Sequence, residues 1–445
     1  MKSLRYIFAL VLCTSSLCTW SQDFSRIGER SIMGTARYVG MCGAMSAIGG
    51  DPSAAHDNPA ALGLYRRLEV LLSGEETIDK TWQIGQNGTT EHRYRSIIPQ
   101  ASVIWSAPTY QLSETGVLFN NFMFSYRRLQ TYGRILYAGG LNSPSLGALL
   151  DNSNVTWDVD FCKDPYNRAN ALWLEESGSV HEYAFSWAMN ISNQWFVGAG
   201  LQVQSYILSS DAIFEENFEH VDAEGTRYYN RNKTSILYTG VGCSFSAGLI
   251  YRPTGWLRLG FGLQTCSLGA LAISTSGTLA AQTDSLRYSY APDNVDHLGY
   301  DRTMPLHLSS SVAFQIGAYG LIALQYDYFN QRYSSPVHSL RAGIEVIPVL
   351  GLYLNAGYAC ESTFHRDYVV PMDPDLERQD TYFMHPQYAH YASVAIGYRG
   401  IYMIVQAAYQ YRLQRLHLYA HENAAPYSMH ADTHRIVLTL GWHHN

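Results

Sequence analysis

From about residue 67 onward, the chain repeats segments of about ten residues in which apolar and polar side chains alternate. In residues 195–204, WFVGAGLQVQ, the side chains of Trp195, Val197 and Leu201 share one face, and Gln202 and Gln204 lie on the other. Consecutive side chains of a β-strand point to opposite faces of its sheet. Each segment therefore predicts a strand with one apolar and one polar face.

The composition indicates what the apolar faces meet. The chain has no run of about 18 apolar residues, which a membrane-spanning helix requires. Charged residues make up 15% of the chain and aromatic residues 13%, whereas soluble domains carry about 25% charge. These features predict an all-β chain, a transmembrane antiparallel β-barrel with lipid outside and a polar lumen inside. The alternative is a soluble β-sandwich, in which a second sheet covers the apolar faces.

The connections between segments support a barrel of about 14 strands. Short links such as RPTG (252–255), GAYG (317–320) and YRG (398–400) alternate with long polar stretches. Short periplasmic turns that alternate with long outer loops are typical of bacterial outer-membrane barrels. We expect the long loops near residues 76–93, 130–180, 209–233, 267–303, 331–337, 362–388 and 413–433.

The N-terminus predicts export. Lys2 and Arg5 precede the apolar stretch YIFALVLCTSSLC, which predicts a signal peptide over residues 1–21 and cleavage before Gln22. We therefore expect the outer membrane of a Gram-negative bacterium, with residues 67–445 as the barrel. Its partners would be outer-membrane lipid, lipopolysaccharide and, during biogenesis, the barrel-assembly machinery. The net charge of −7 argues against nucleic-acid binding.

Residues 22–66 do not alternate like the rest of the chain. Their stretch GGDPSAAHDNPAALGLY (49–65) is rich in small residues, and Pro52 and Pro59 would interrupt a helix. Small side chains allow close backbone packing in a confined space. We therefore expect these residues to form a hatch, a plug inside the lumen.

The stretch GMCGAMSAIGGDPSAAHDNPAALG (40–63) resembles the N-terminal hatch of the FadL-type outer-membrane transporters. That family carries long-chain fatty acids and aromatic hydrocarbons, and includes relatives described as hemin receptors. The resemblance implies a monomeric fourteen-stranded barrel, capture of hydrophobic substrate by outer loops, and sideways exit beside a kinked strand. It also implies that the triplet Asn58, Pro59 and Ala60 gates this path.

The residue chemistry is compatible with a gate. Pro59 has no N–H group to offer a neighbouring strand, and the Asn58 side chain carries two donor hydrogens and an acceptor that could satisfy irregular backbone. The stretch LFNNFMFSY (118–126) is the third expected strand, and Asn120 and Asn121 interrupt its alternation. We expect the kink at this pair.

The longest expected loop, residues 130–180, contains apolar side chains that could form short helices. They would form either a patch that captures a hydrophobic solute or a cap that packs on itself. These residues are Leu149, Leu150, Leu172, Trp173 and Leu174.

We therefore predict passive uptake of hydrophobic small molecules by a protein that is not an enzyme and has no cofactor or metal site. His307 and Ser309 share a strand face, but no third catalytic partner accompanies them. One alternative is a receptor that binds haem through loop histidines, since imidazole is a haem ligand. Another is a structural or adhesive barrel with a sealed lumen. The histidines in question are His92, His220, His297, His365, His385, His390, His421 and His430.

Overall fold

The computed structural model describes most of the barrel and the segment before it. The described ranges are 27–84, 90–109, 115–139, 168–218, 228–283, 287–290, 295–330, 335–363, 383–419 and 426–444. The predicted signal peptide and two predicted capture residues, Leu149 and Leu150, lie outside these ranges. No helix in the described ranges is both long and apolar enough to cross a bilayer.

Short helices precede the strands. They are α1 (Ala36–Gly40), α2 (Pro52–Asp57) and a 3₁₀-helix (Pro59–Leu64). The strand segments of the described residues are β1 (Leu68–Gln83), β2 (Glu91–Pro108), β3 (Val117–Tyr132), β4 (Ile135–Gly139), β5 (Arg168–Ile191), β6 (Trp195–Phe218), β7 (Tyr228–Tyr251), β8 (Leu257–Gln264), β9 (Ser267–Thr283), β10 (Arg287–Tyr290), β11 (Val295–Met304), β12 (Leu306–Ile316), β13 (Gly320–Asn330), β14 (Val337–Val349), β15 (Leu352–Glu361), β16 (Phe383–Arg399), β17 (Met403–Tyr419) and β18 (Tyr427–His444).

The strands form one closed antiparallel sheet. Strand β1 pairs with β2 on one side and with β18 on the other, which closes the ring. Some barrel strands consist of more than one segment. Segments β3 and β4 both pair with β5, and segments β8 and β9 both pair with β7. Segments β10 and β11 pair with β9, and β12 pairs with β8. The segments thus make the predicted barrel of 14 strands.

Side chains alternate across the barrel wall as the sequence predicts. In β13, Leu324 is 51% exposed on the outside, whereas its neighbour Gln325 is 3% exposed and faces inward. Near the short turns the outer surface carries stacked aromatic pairs such as Trp195 with Tyr251, whose ring centroids are 4.1 Å apart. An apolar band with aromatic residues at its edge is what a membrane-spanning barrel requires.

The strands are longer than expected, and the loops are correspondingly shorter. Strands β5, β6 and β7 each span 24 residues. The expected loop at 267–303 instead contains β9, β10 and β11. The expected loop at 130–180 contains β4 and the first part of β5. Polar residues in these stretches indicated loops, but the strand pairing continues through them.

Candidate functional site

The N-terminal segment, defined here as residues 27–66, is compact because each proline begins a helical turn. Pro52 is the first residue of α2, and the side chain of Asp51 caps that helix by accepting from the Ser53 amide at 2.8 Å. Pro59 is the first residue of the 3₁₀-helix. Proline suits the first position of a helix because its missing N–H would have no partner there. The prolines therefore separate two short helices and also start them.

Asn58 joins these helices to the barrel wall. Its Oδ1 accepts from the Ala60 amide at 3.1 Å, and its Nδ2 donates to the Ser46 carbonyl at 3.0 Å. The same Nδ2 lies 3.4 Å from the carbonyl oxygen of Leu249, in β7. Asn58 therefore meets the wall at β7, and not at the third strand where we expected an irregular backbone.

Glycines in the wall make room for this turn. A Cβ atom at Gly198, in β6, would lie 2.5 Å from the carbonyl carbon of Pro59 and 2.6 Å from the Ala60 nitrogen. A Cβ atom at Gly248, in β7, would overlap Asn58 Oδ1. Real Cβ atoms do not approach other atoms this closely, so the Asn58–Ala60 turn rests directly on the backbone of two strands.

Buried charges hold the N-terminal segment in the lumen. Asp57 Oδ1 accepts from Arg127 in β3 at 3.3 Å, and Asp57 Oδ2 accepts from the hydroxyl of Tyr38 at 2.5 Å. Arg341 in β14 lies 3.8 Å from the same carboxylate. Burial raises the pKa of Asp57, but the charge of Arg127 above all lowers it more, to about 2. Asp57 is therefore an anion clamped between two arginines from different parts of the wall.

A second set of contacts surrounds His56. Its Nδ1 lies 2.8 Å from Glu182 Oε1 in β5, and its Nε2 lies 2.9 Å from Ser125 Oγ in β3. Burial and the charge of Arg127 lower the pKa of His56, which favours the neutral imidazole. The order Ser–His–Glu matches that of a hydrolase triad. All three side chains are fully buried, so a substrate carbonyl has no access to Ser125 in this state.

A further ion pair lies nearer the short turns. Arg37 in α1 donates two hydrogen bonds to the carboxylate of Glu345 in β14, at 2.6 and 2.9 Å. Two parallel bonds between guanidinium and carboxylate fix orientation as well as distance. The N-terminal segment is thus attached to β3, β5, β7 and β14 at once.

Asn120 and Asn121 are themselves in continuous pairing, but β3 shifts register against β5 just before them, between Val117 and Phe119, so a kink at this pair stays a prediction. They face Ala107 and Ser106 of β2 and Met189 and Ala188 of β5 without a shift of register. Asn121 is an inward residue whose Nδ2 donates to the carbonyls of residues 62 and 65, at 2.6 and 3.1 Å. The polar pair therefore preserves the alternation and serves the N-terminal segment.

A second and larger irregularity of β3 comes later in the strand. Pairing of β2 with β3 ends at Gln100 and Arg127, although both strands continue past this point. On its other side, β3 shifts register against β5 between Arg128 and Gln130. In the described residues, positions 91–97 of β2 then pair with β1 alone, and Ile98 and Pro99 are paired with neither strand. We call this break between β2 and β3 the seam.

Side chains, and not a backbone ladder, cross the seam. Arg95 in β2 donates to the carbonyl of Thr131 at 3.3 Å and forms an ion pair with Asp79. The inward side chains of β1 reach the backbone of β4: Thr81 Oγ1 donates to the Ile135 carbonyl at 2.6 Å. Gln83 likewise bonds to the amide and carbonyl of Gly139. The chain from β3 to β4 therefore stays paired with β5, but side chains replace backbone pairing on its other side.

Apolar side chains line the lumen beside and above the seam. The first group, the seam cluster, lies next to the irregular part of β3 and includes Leu129, Tyr132, Val180, Leu208, Ile236 and Ile273. The second group, the upper cluster, lies nearer the outer connections and includes Leu136, Leu172, Leu174, Phe214, Leu416 and Met429. The outer part of the lumen therefore contains two apolar patches, beside buried polar residues such as Glu176 and Glu216.

Three predicted capture residues are described, and they lie in β5 and not in a helix. Leu172 and Leu174 face inward and are buried in the upper cluster. Trp173, between them, faces outward and is 47% exposed. The alternation of the strand explains why two neighbours point into the lumen and the third does not.

Several histidines of the haem hypothesis lie in strands and not in loops. His92 is in β2, His385 and His390 are in β16, and His430 is in β18. His220, His365 and His421 lie outside the described residues, as does the side chain of His297. Ligand binding by these histidines stays a prediction.

The functional residues that sequence reasoning missed are the buried partners of the N-terminal segment. They are Tyr38, Asp57, Arg127, Glu182, Arg341 and Glu345. Each wall residue occupies an inward strand position, and a charged residue at such a position is ordinary in a polar lumen. Pro99 was an available signal for the seam, because proline cannot donate to a strand ladder.

Solved transporters share this fold at low sequence identity. A Pseudomonas aeruginosa FadL homologue is 12% identical with a TM-score of 0.58, over 93% of this chain and 99% of that chain. The Pseudomonas putida toluene transporter TodX is 12% identical with a TM-score of 0.54, over 93% and 99%. The monoaromatic hydrocarbon channel CymD is 12% identical with a TM-score of 0.50, over 93% and 97%. No protein-family model matches the chain, and no curated protein matches it in sequence. The likeness confirms the predicted FadL-type fold.

Proposed function

We propose that this protein is an outer-membrane channel for passive uptake of hydrophobic small molecules, which leave the lumen sideways through the seam. The solved structures of the same fold include a toluene transporter and a monoaromatic hydrocarbon channel. Low sequence identity limits that comparison to the fold. The proposal therefore depends on the residues of this chain.

The observation that carries the proposal is the position of the seam cluster. Leu129 and Tyr132 belong to the part of β3 that has left its pairing with β2, and they pack with inward apolar residues of β5, β6, β7 and β9. The seam cluster thus gives an apolar solute in the outer lumen apolar neighbours beside the place where β2 and β3 stop pairing. Moving apolar surface into water costs about 0.8 kcal/mol per CH₂ group, and an exit into the bilayer avoids that cost.

In this proposal the N-terminal segment is the hatch, with residues 22–66 as its extent. Its ion pairs and the Asn58–Ala60 turn seal the direct route through the barrel. Asn58, Pro59 and Ala60 then govern how firmly the hatch is seated against β6 and β7. Uptake follows the concentration gradient and uses no chemical energy source.

The upper cluster is the capture site in this proposal, and three consecutive residues of β5 test it. Leu172→Asn and Leu174→Asn place an unpartnered amide in the apolar lumen, which costs about 1–3 kcal/mol. Trp173→Asn changes the same strand on its outer face and is the matched control. Uptake of radiolabelled toluene and oleate is measured in cells that lack their own channel for these compounds.

We expect saturable uptake with the wild-type protein, a loss of about tenfold in the two leucine variants, and near-normal uptake in Trp173→Asn. Heat-modifiable migration on gels confirms that each variant is folded. Equal uptake in all three variants would contradict the capture site. Wild-type uptake no faster than in cells without the protein would contradict the proposed function.

A further inference from the structure

The outer surface of the barrel carries one side-chain pair four times. A tyrosine hydroxyl lies within hydrogen-bond distance of a histidine Nδ1 on the neighbouring strand. On the neighbouring strand, one residue lies directly opposite the tyrosine. The histidine is always two positions from that residue, toward the outer connection. The pairs are Tyr126–His181 at 2.8 Å, Tyr326–His338 at 2.7 Å, Tyr358–His390 at 2.9 Å and Tyr409–His434 at 2.8 Å.

All four histidines lie at the same height on the barrel. Each is nine to eleven residues from the end of its strand on the short-turn side, which is Ile191, Val349, Arg399 or His444. A strand rises about 3.3 Å per residue and is tilted by about 35–45°, so this distance corresponds to about 25 Å along the membrane normal. The apolar band of an outer-membrane barrel is about 25 Å tall. The histidines therefore lie at the boundary between the apolar band and the outer headgroups.

The opposite boundary is built differently. Near the short turns the stacked outward pairs combine Trp195 with Tyr251 and Trp256 with Phe314. In the part of the chain that the structure describes, the Tyr–His hydrogen bond recurs only toward the outer connections. The stacked pair of Trp442 and His444 places an imidazole at the short-turn boundary as well, but there the ring stacks on an indole and is not bonded to a tyrosine hydroxyl.

The tyrosine determines what each imidazole offers to its surroundings. When the hydroxyl donates to Nδ1, the neutral ring carries its proton on Nε2, which becomes an outward donor. When the ring is protonated, Nε2 still carries a proton and the ring adds a positive charge. No hydrogen bond to Nε2 of His338, His390 or His434 is found among the described residues. With the hydroxyl as donor, these three neutral rings each present an Nε2–H group to the headgroup layer, and a protonated ring does so as well.

Three of the pairs form a continuous arc. They belong to the consecutive hairpins β13–β14, β15–β16 and β17–β18, so successive pairs are two strands, or about 10 Å, apart. Asp432, on the same face as His434, lies opposite Lys80 of β1, so these two charges offset each other. We infer that this arc binds the phosphate groups of outer-leaflet lipids, as phosphorylated lipid A presents them. The inference rests on the outer-membrane location that the proposed function includes.

Native mass spectrometry of the full-length protein in detergent tests the inference. The probes are lipid A with both phosphates and the same lipid after enzymatic removal of the phosphates. We expect the wild-type protein to retain the phosphorylated form at least tenfold better. The triple variant His338→Phe, His390→Phe, His434→Phe keeps an aromatic ring at each position and should lose this preference.

Two further variants make the test specific. Tyr326→Phe, Tyr358→Phe, Tyr409→Phe keeps the histidines but removes the hydroxyls that orient them, and should reduce the preference severalfold. Trp195→Phe with Trp256→Phe, at the opposite boundary, should leave it unchanged. Millimolar inorganic phosphate should not displace the lipid, because the arc lies at the edge of the apolar band and lipid A also contacts that band with its acyl chains.

Equal retention of both lipids by the wild-type protein would overturn the inference, as would an unchanged preference in a folded histidine variant. If that variant does not fold, an unchanged preference in the tyrosine variant overturns it instead. Toluene uptake by the same proteins separates the two proposals. A histidine variant that loses the lipid preference but takes up toluene normally supports the arc. Absence of toluene uptake by the wild-type protein would contradict only the proposed channel.

Discussion

The substitution Gly198→Ala should unseat the N-terminal segment without disturbing the barrel. The added Cβ would lie 2.5 Å from the Pro59 carbonyl carbon and 2.6 Å from the Ala60 nitrogen, and backbone atoms cannot rotate away as a side chain can. Gly198 is paired with Ala188 on one side and Gly248 on the other, so the wall is held in place. Overpacking of this kind costs about 1–3 kcal/mol. The ratio of seated to unseated segment should therefore fall by about 5–150-fold.

Planar-bilayer conductance measures this effect, because an unseated segment leaves a water-filled route. We expect frequent open events in Gly198→Ala and rare ones in the wild type. Gly74→Ala is the matched control, since a Cβ there has no neighbour within 4 Å. A folded Gly198→Ala protein with wild-type conductance would refute the reasoning that this turn seals the lumen.

Three further predictions concern the buried contacts of the N-terminal segment. Arg127→Gln leaves the carboxylates of Asp57 and Glu182 without this cation and should lower the free energy of unfolding by about 3–5 kcal/mol, measured by denaturant titration in detergent. Asn121→Ala removes the donor to two carbonyls of the segment and should cost about 1–3 kcal/mol, visible as faster proteolysis of residues 50–66. Because burial and Arg127 lower the pKa of His56 below 6.5, its contribution is complete above that pH and is lost as the pH falls. Seating should weaken by up to about 1.4 kcal/mol per pH unit below 6.5, measured by hydrogen exchange at pH 7 and 5, and the dependence should disappear in His56→Gln.

The fold was predictable because the outer and inner faces of each strand obey one simple rule. Leu324 faces outward and its neighbour Gln325 faces the lumen, and the short turns between such strands indicated how many strands there are. Strand ends were not predictable in this way. Toward the outer connections the polar residues indicated loops although strand pairing continues there, as in residues 267–303.

The site was only partly predictable. The prolines and small residues of the N-terminal segment indicated a compact plug, and Asn58 does contact the wall. The strand that Asn58 contacts could not be inferred, because which strand the turn reaches depends on the curvature of the whole barrel. Asn121 was read as a break in the strand, whereas it is an inward polar residue that serves the segment. Pro99 was the informative residue near the seam.

The central claim is that hydrophobic solutes leave through the seam, and cross-linking it is the most direct test. A Cβ at Gly133 would lie 3.1 Å from Cδ of Arg95, so Arg95→Cys and Gly133→Cys are within reach of a short thiol cross-linker. Toluene uptake is compared in the same double variant before and after cross-linking. We expect at least a tenfold loss of uptake once the seam is closed. Unchanged uptake through a fully cross-linked seam would contradict it.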